Sequence, residues 1–142
     1  MKKIMLACDG SDSAMRALEF AITQSSEHQT TELHLINVQS LPMSYYDALT
    51  ALSAKELQVA LNTLGEETLA PALERLKQTN LSTYHHVHIG DVAQVISEQA
   101  EKLGCEQIIM GSRGLGALKG LMIGSVATRV VHLSSFPVTL IK

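Results

Sequence analysis

Apolar residues along this chain alternate between two kinds of pattern. Short segments rich in apolar or β-branched residues recur at 3–8, 32–38, 82–89, 106–110 and 137–141, bounded by glycine, proline or polar residues, and each predicts a strand. Between them the apolar positions take helical spacing. Ala14, Leu18, Ala21 and Ile22 mark a first helix. Leu57, Leu61, Leu64 and Leu76 trace the core face of a longer one, in which Pro71 predicts a bend. Val92, Val95, Ile96 and Leu103 mark a third over 91–103, and the segment 126–131 predicts a fourth. Asp12 or Ser13 is placed to cap the first helix, Asp91 the third and Ser125 the fourth. The stretch 39–50, with Pro42 and two tyrosines, reads as a loop.

Strands that alternate with helices need right-handed crossovers, which give an α/β fold: an open, five-stranded parallel sheet with helices on both faces. The pattern shows no internal repeat, low-complexity tract or linker, so one domain over 1–142 is expected. Strand order is not fixed by the pattern.

Composition narrows the function classes. The chain has 142 residues, of which 46% are hydrophobic, enough for a sizeable core. Its net charge is −3, and no run of Lys or Arg exceeds the pair Lys2-Lys3, so neither nucleic acid nor an acidic membrane surface is expected as a partner. No apolar stretch has membrane-spanning length, and the N-terminus enters a strand pattern at once, which predicts a cytoplasmic location. Cys8 and Cys105 form neither a disulfide framework nor a metal spacing and read as buried, reduced thiols. In the third strand His86 and His88 share one face and His85 takes the other, two ligands at most, so no metal site is predicted.

The chemistry concentrates in 111–125. Gly111 and Gly114, then the pair Gly124-Ser125, follow the apolar run Ile108-Ile109-Met110 directly. Glycines at the carboxyl end of a buried strand let the backbone turn sharply and bring N–H groups to an anion without interference from Cβ. A helix that begins next adds unpaired N–H groups and the positive end of its dipole. Asp9, after the first strand, is an acceptor suited to ribose hydroxyls or a divalent ion, or simply to an Asx turn. Arg113 adds a positive charge, although it and Lys119 also read as ordinary surface cations.

The spacing G-x2-G-x9-G-S, together with the opening Ile4-Met5-Leu6-Ala7-Cys8-Asp9-Gly10-Ser11 and the closing Phe136-Pro137-Val138-Thr139-Leu140-Ile141, resembles the universal stress protein family over essentially the whole chain. The resemblance implies strand order 3-2-1-4-5, the Rossmann-like arrangement also seen in adenine nucleotide alpha hydrolases. It further implies binding of ATP, or of ADP or AMP, with or without Mg2+. Gly111, Gly114, Gly124, Ser125 and the following Val126 would hold phosphate, with charge added by Arg113, while Asp9 would take ribose hydroxyls or a divalent ion. Val38 would read adenine through its backbone, and Ala7 and Met110 would lie at the strand ends beneath the nucleotide. It also implies a homodimer through the last strand, 137–141, whose short apolar edge would otherwise expose unpaired backbone groups.

Other nucleotide machinery is absent from the sequence. There is no G-x-x-x-x-G-K-S/T, and Gly114-Leu115-Gly116 continues to Lys119 where a dinucleotide fingerprint needs glycine or alanine. No nucleophile elbow or triad motif is present, and no catalytic residue is assigned. The expected role is a nucleotide-dependent regulatory or stress-response dimer. Two alternatives stand beside it: a slow, metal-assisted ATPase or phosphotransferase that uses Asp9, and an interaction module with an empty pocket.

Overall fold

A computed structural model describes residues 2–27, 31–41, 51–115 and 122–142, with backbone only at 51 and 52. Residues 42–50 of the predicted loop and residues 116–121, Lys119 among them, lie outside the described residues.

The elements alternate as β1 (Lys2–Ala7), α1 (Asp12–Ser26), β2 (Thr31–Gln39), α2 (Ala51–Leu76), β3 (Ser82–Ile89), α3 (Val92–Leu103), β4 (Gln107–Gly111), α4 (Ser125–Leu133) and β5 (Val138–Ile141). The strands form one sheet in the order β3-β2-β1-β4-β5, every neighbouring pair parallel. Register carries the ends of three strands to one level: Ala7 pairs with Ile36 on one side and with Met110 on the other.

The period of two along each strand decides which helices cover which face. Ile4 and Leu6 of β1, Leu33 and Leu35 of β2 and Ile109 of β4 join Leu18, Ile22, Leu69 and Leu76 in the core beneath α1 and α2. Met5, Ala7, Ile36, Ile108 and Met110 point the other way and meet Ile96, Ala100, Ala127 and Val130 of α3 and α4. Both faces of β1 and β4 are thus sealed, as a central parallel strand requires. Truncating a fully buried side chain such as Leu18 would cost about 2–5 kcal/mol.

Two details differ from the pattern reading. The cap of α1 is Ser11, one residue earlier than expected, because its hydroxyl reaches back to accept the Ala14 N–H at 3.3 Å; Asp12 is exposed and Ser13 is engaged elsewhere. The buried stripe of α2 runs through Gly65, Leu69, Ala72 and Leu76, and Leu64 faces outward, 48% exposed. Gly65 sets that phase, since a Cβ there would stand 2.3 Å from Val87 Cγ1 of β3. The helix continues past Pro71 to Leu76.

Candidate functional site

Because β1 and β4 are neighbours while their helices cover opposite faces, the chain leaves the sheet in opposite directions after Ala7 and after Gly111. Such a divergence opens a crevice at the carboxyl edge of the sheet. A cavity of about 420 Å³ occupies it, within the range usual for small-molecule sites. Its floor is apolar: Ala7 and Met110 at the strand ends, Ile36 and Val38 of β2, Val92 and Ile96 of α3. Its polar side is built from Asp9, from Gly111, Arg113 and Gly114 after β4, and from Gly124, Ser125 and Val126 at the start of α4. All ten residues singled out in the sequence therefore line one cavity. Gly90 and Asp91 do not border it; that end of α3 contributes Val92 instead.

The three glycines of the loop are glycine for different reasons. At Gly111 a Cβ would lie 2.3 Å from Ser13 Oγ and 2.9 Å from the Ala14 nitrogen, so the first turn of α1 packs directly on the end of β4. At Gly114 it would lie 2.8 Å from Asp9 Oδ2. At Gly124 the surroundings are ordinary: φ is −71°, and a Cβ would meet Ser112 O at 3.5 Å and the Gly114 nitrogen at 3.6 Å. Neither backbone conformation nor packing against the described residues requires glycine at 124, and the position lines the cavity.

The start of α4 corrects the expected cap. Ser125 is the first helical residue, and Gly124 occupies the N-cap position with no side-chain cap bond. Gly124 takes that place because its backbone is extended while its carbonyl accepts the first helical bond, from Thr128 N–H at 3.0 Å; the Thr128 hydroxyl donates to the same oxygen. The turn before it is closed by Gly124 N–H donating to Ser112 O at 2.6 Å, and Ser112 N–H donates to Ile141 O at 2.7 Å. No side chain at the cap takes the leading amides of α4, and that end faces the cavity.

The β1–α1 turn is strongly pinned. Asp9 Oδ1 accepts the Ser11 N–H at 2.9 Å, an Asx turn, which leaves Oδ2 beside Gly114. Ser13 donates its hydroxyl to the Arg113 carbonyl, and the Ser11 hydroxyl approaches the same oxygen at 3.4 Å. From β2, Asn37 Nδ2 donates to Cys8 O at 2.9 Å, and Gln39 Nε2 donates to Asn37 Oδ1 at 2.7 Å. Ser11 and Asn37 both line the cavity. Neither they nor Ser13 was found from the sequence. The signal for the two serines was present in the D-G-S-D-S run before an apolar-periodic helix; for Asn37 there was none.

Other candidate groups turn out to be structural. Both cysteines are buried and unpaired, and burial raises both thiols, Cys105 to about 11, which disfavours thiolate chemistry. His86 meets His34 of β2, Nε2 to Nδ1 at 3.1 Å, and His85 pairs with Glu66 of α2 at 3.1 Å. Among the described residues no group of three or more His, Cys, Asp or Glu is placed to hold a metal, and no helix is long and apolar enough to cross a membrane.

Comparison with known proteins agrees with this geometry. The model of the universal stress protein family matches residues 1–142. Universal stress protein YxiE of Bacillus subtilis is 29% identical over 146 residues, covering 99% of this chain and 98% of its own, and universal stress protein MJ0531 of Methanocaldococcus jannaschii is 31% identical, covering 99% and 82%. Among solved structures, protein MJ0577 superposes with a TM-score of 0.87 at 26% identity over 99% of this chain and 95% of its own. An Archaeoglobus fulgidus universal stress protein in complex with dAMP gives 0.66 at 22% identity, covering 100% and 98%. An Arabidopsis thaliana family protein with AMP bound gives 0.71 at 20%, covering 100% and 92%.

Proposed function

The chain belongs to the universal stress protein family, and from that premise we propose that it binds an adenine nucleotide, ATP or its di- or monophosphate, in the cavity at the carboxyl edge of the sheet. The observation that carries the proposal is the cavity-facing N-terminus of α4, which has no side-chain cap bond and a cap glycine that packing against the described residues does not require. Phosphate would take the N–H groups of Ser125, Val126 and Ala127 together with the loop amides, and the helix dipole adds to the attraction. Arg113 on the rim adds charge, and the Ser125 hydroxyl a further donor.

The apolar floor suits a planar base, with Ala7 and Met110 beneath it and the Val38 backbone at its edge. Asp9 Oδ2 remains for a ribose hydroxyl or for a divalent ion that arrives with the nucleotide. Among the described residues lining the cavity such an ion would find one carboxylate, Asp9, and take its other ligands from phosphate and water, the usual coordination of Mg2+. Solved family members that carry dAMP and AMP support the ligand class. The reading includes a regulatory homodimer joined through the edge strand β5, for which Val138→Lys with Leu140→Lys should yield monomer in sedimentation. Titration calorimetry of ATP, ADP and AMP, with the recovered nucleotide analysed, tests the central reading. Saturable binding with ATP recovered intact supports it, and ADP recovered would favour the slow hydrolase.

A further inference from the structure

The two loops that frame the cavity are fastened to each other by a bond that bears on how one of them presents its amides. Ser13, 5% exposed in the first turn of α1, donates to the carbonyl of Arg113 in the β4–α4 loop. The Ser11 hydroxyl lies 3.4 Å from the same oxygen and 3.5 Å from Ser13 Oγ, so a pair of buried hydroxyls gathers around one loop carbonyl. Gly111 makes room for this, because any Cβ there would collide with Ser13 Oγ.

The Arg113 carbonyl and the Gly114 N–H belong to one peptide unit. The chain has no cis peptide bond among its described residues, and in a trans peptide the C=O and N–H point in opposite directions across the plane. A carbonyl held toward α1 therefore turns the Gly114 N–H away from α1. The start of α4 is close to this peptide: the Gly114 nitrogen lies 3.6 Å from where a Cβ on Gly124 would be. Among the described residues the Gly114 N–H has no acceptor, and Gly114 lines the cavity together with Gly124 and Ser125.

We propose that Ser13 is a positioning residue for anion recognition: by holding the Arg113 carbonyl it locks the Arg113–Gly114 peptide so that the Gly114 N–H converges with the amides of α4 on a phosphate. This rests on the adenine-nucleotide reading above and adds to it a residue that never touches the ligand. With the Ser13 hydroxyl absent, only the longer approach of the Ser11 hydroxyl still holds that carbonyl, the peptide plane is less restrained, and the donor must be reoriented on binding.

The test compares AMP with adenosine, which carries no phosphate, on wild type and on Ser13→Ala, with Ser13→Cys as a variant of near-native size whose S–H is a weak donor. The account predicts that both variants bind AMP about tenfold more weakly, the scale of one aligned hydrogen bond to a charged group, while adenosine changes less than about twofold. In ligand-free protein the Gly114 amide resonance should move in both variants. Equal losses for AMP and adenosine, no loss for either, or an unmoved Gly114 resonance would overturn the role of Ser13 and leave nucleotide binding standing. Wild type that binds neither ligand would overturn both.

Discussion

Three of the helices that begin at the carboxyl edge of the sheet, α1, α3 and α4, are finished differently. The start of α1 is capped by the Ser11 hydroxyl, which takes the Ala14 N–H, and that of α3 by Asp91, which takes the Gln94 N–H at 3.0 Å and pairs with Arg129 of α4 at 2.8 Å. The start of α4 has a glycine at the cap position and, among the described residues, no side-chain acceptor. All three ends carry the same surplus of N–H groups and the same positive dipole end. Where a side chain supplies the acceptor, the helix end is closed and stabilising. Where none does, and the end looks into a cavity, the same groups remain for a ligand. On the proposed reading, the difference between a structural helix start and a binding one is a single side chain.

The comparison breaks most directly if α4 is made to resemble α3. Gly124→Asp places a carboxylate at the N-cap, so binding of adenine nucleotide should fall by more than about 100-fold, as a fixed anion replaces the mobile one and repels phosphate. The same substitution should raise folding stability slightly, by about 0.3 kcal/mol, because glycine is itself a fair N-cap and aspartate only a somewhat better one. Loss of affinity with gain of stability is the signature to look for in paired titration and thermal melts. Gly124→Ala is milder: its methyl group meets only ordinary contacts with the described residues, so the melting midpoint should fall only slightly, as alanine is the poorer N-cap, while affinity falls about tenfold through the loss of close backbone approach. The converse experiment is at α3. Asp91→Ala should lower the thermal midpoint and leave nucleotide affinity unchanged within about twofold, because Asp91 caps and pairs outside the cavity.

The smallest expected effect lies away from the carboxyl edge, in the histidine pair on the β2–β3 flank. Burial lowers the pKa of both His34 and His86; for His86 the neighbouring His34, His88 and His85 lower it further, and for His34 Lys3 adds to the lowering while Glu32 opposes it. Tyr84 stacks on His34 at 5.0 Å. With folded-state values below the unfolded value near 6.5, the unfolded chain binds more protons in the window just beneath that value. Stability should therefore fall as pH drops through about 6.5 and level off once the folded-state values are passed. Denaturant melts between pH 7.5 and 5 measure this, and His34→Gln should flatten the curve.

The alternation of strand and helix was legible because both faces of the central strands are buried. Ile4 and Leu6 point one way and Met5 and Ala7 the other, which writes a parallel sheet as near-continuous apolar runs. The order of the strands came from the family resemblance and not from the periodicity, since period two is blind to which strand lies beside which. The cavity residues were legible where chemistry fixes residue type, as at Gly111 and Gly114. They were missed where the role depends on a contact across the fold. Ser13 reads locally as a helix cap, and only the approach of the β4–α4 loop gives its hydroxyl a different acceptor. Gly65 went unread because an apolar-periodicity pattern has no symbol for a close helix–strand approach, and so Leu64 was assigned inward. The cap at α4 was misplaced by one residue because serine is a favoured cap type and glycine a weaker one; the deviation falls where a ligand would complete the helix.

The most direct test of the account is calorimetric titration of AMP and ATP into wild type and Gly124→Asp, with the thermal midpoint of each measured alongside. The account predicts saturable binding to wild type, its loss in Gly124→Asp, and a midpoint in the variant equal to or higher than that of wild type. Unchanged nucleotide affinity in a folded Gly124→Asp protein would contradict it, because the uncapped start of α4 would then not be where the anion sits.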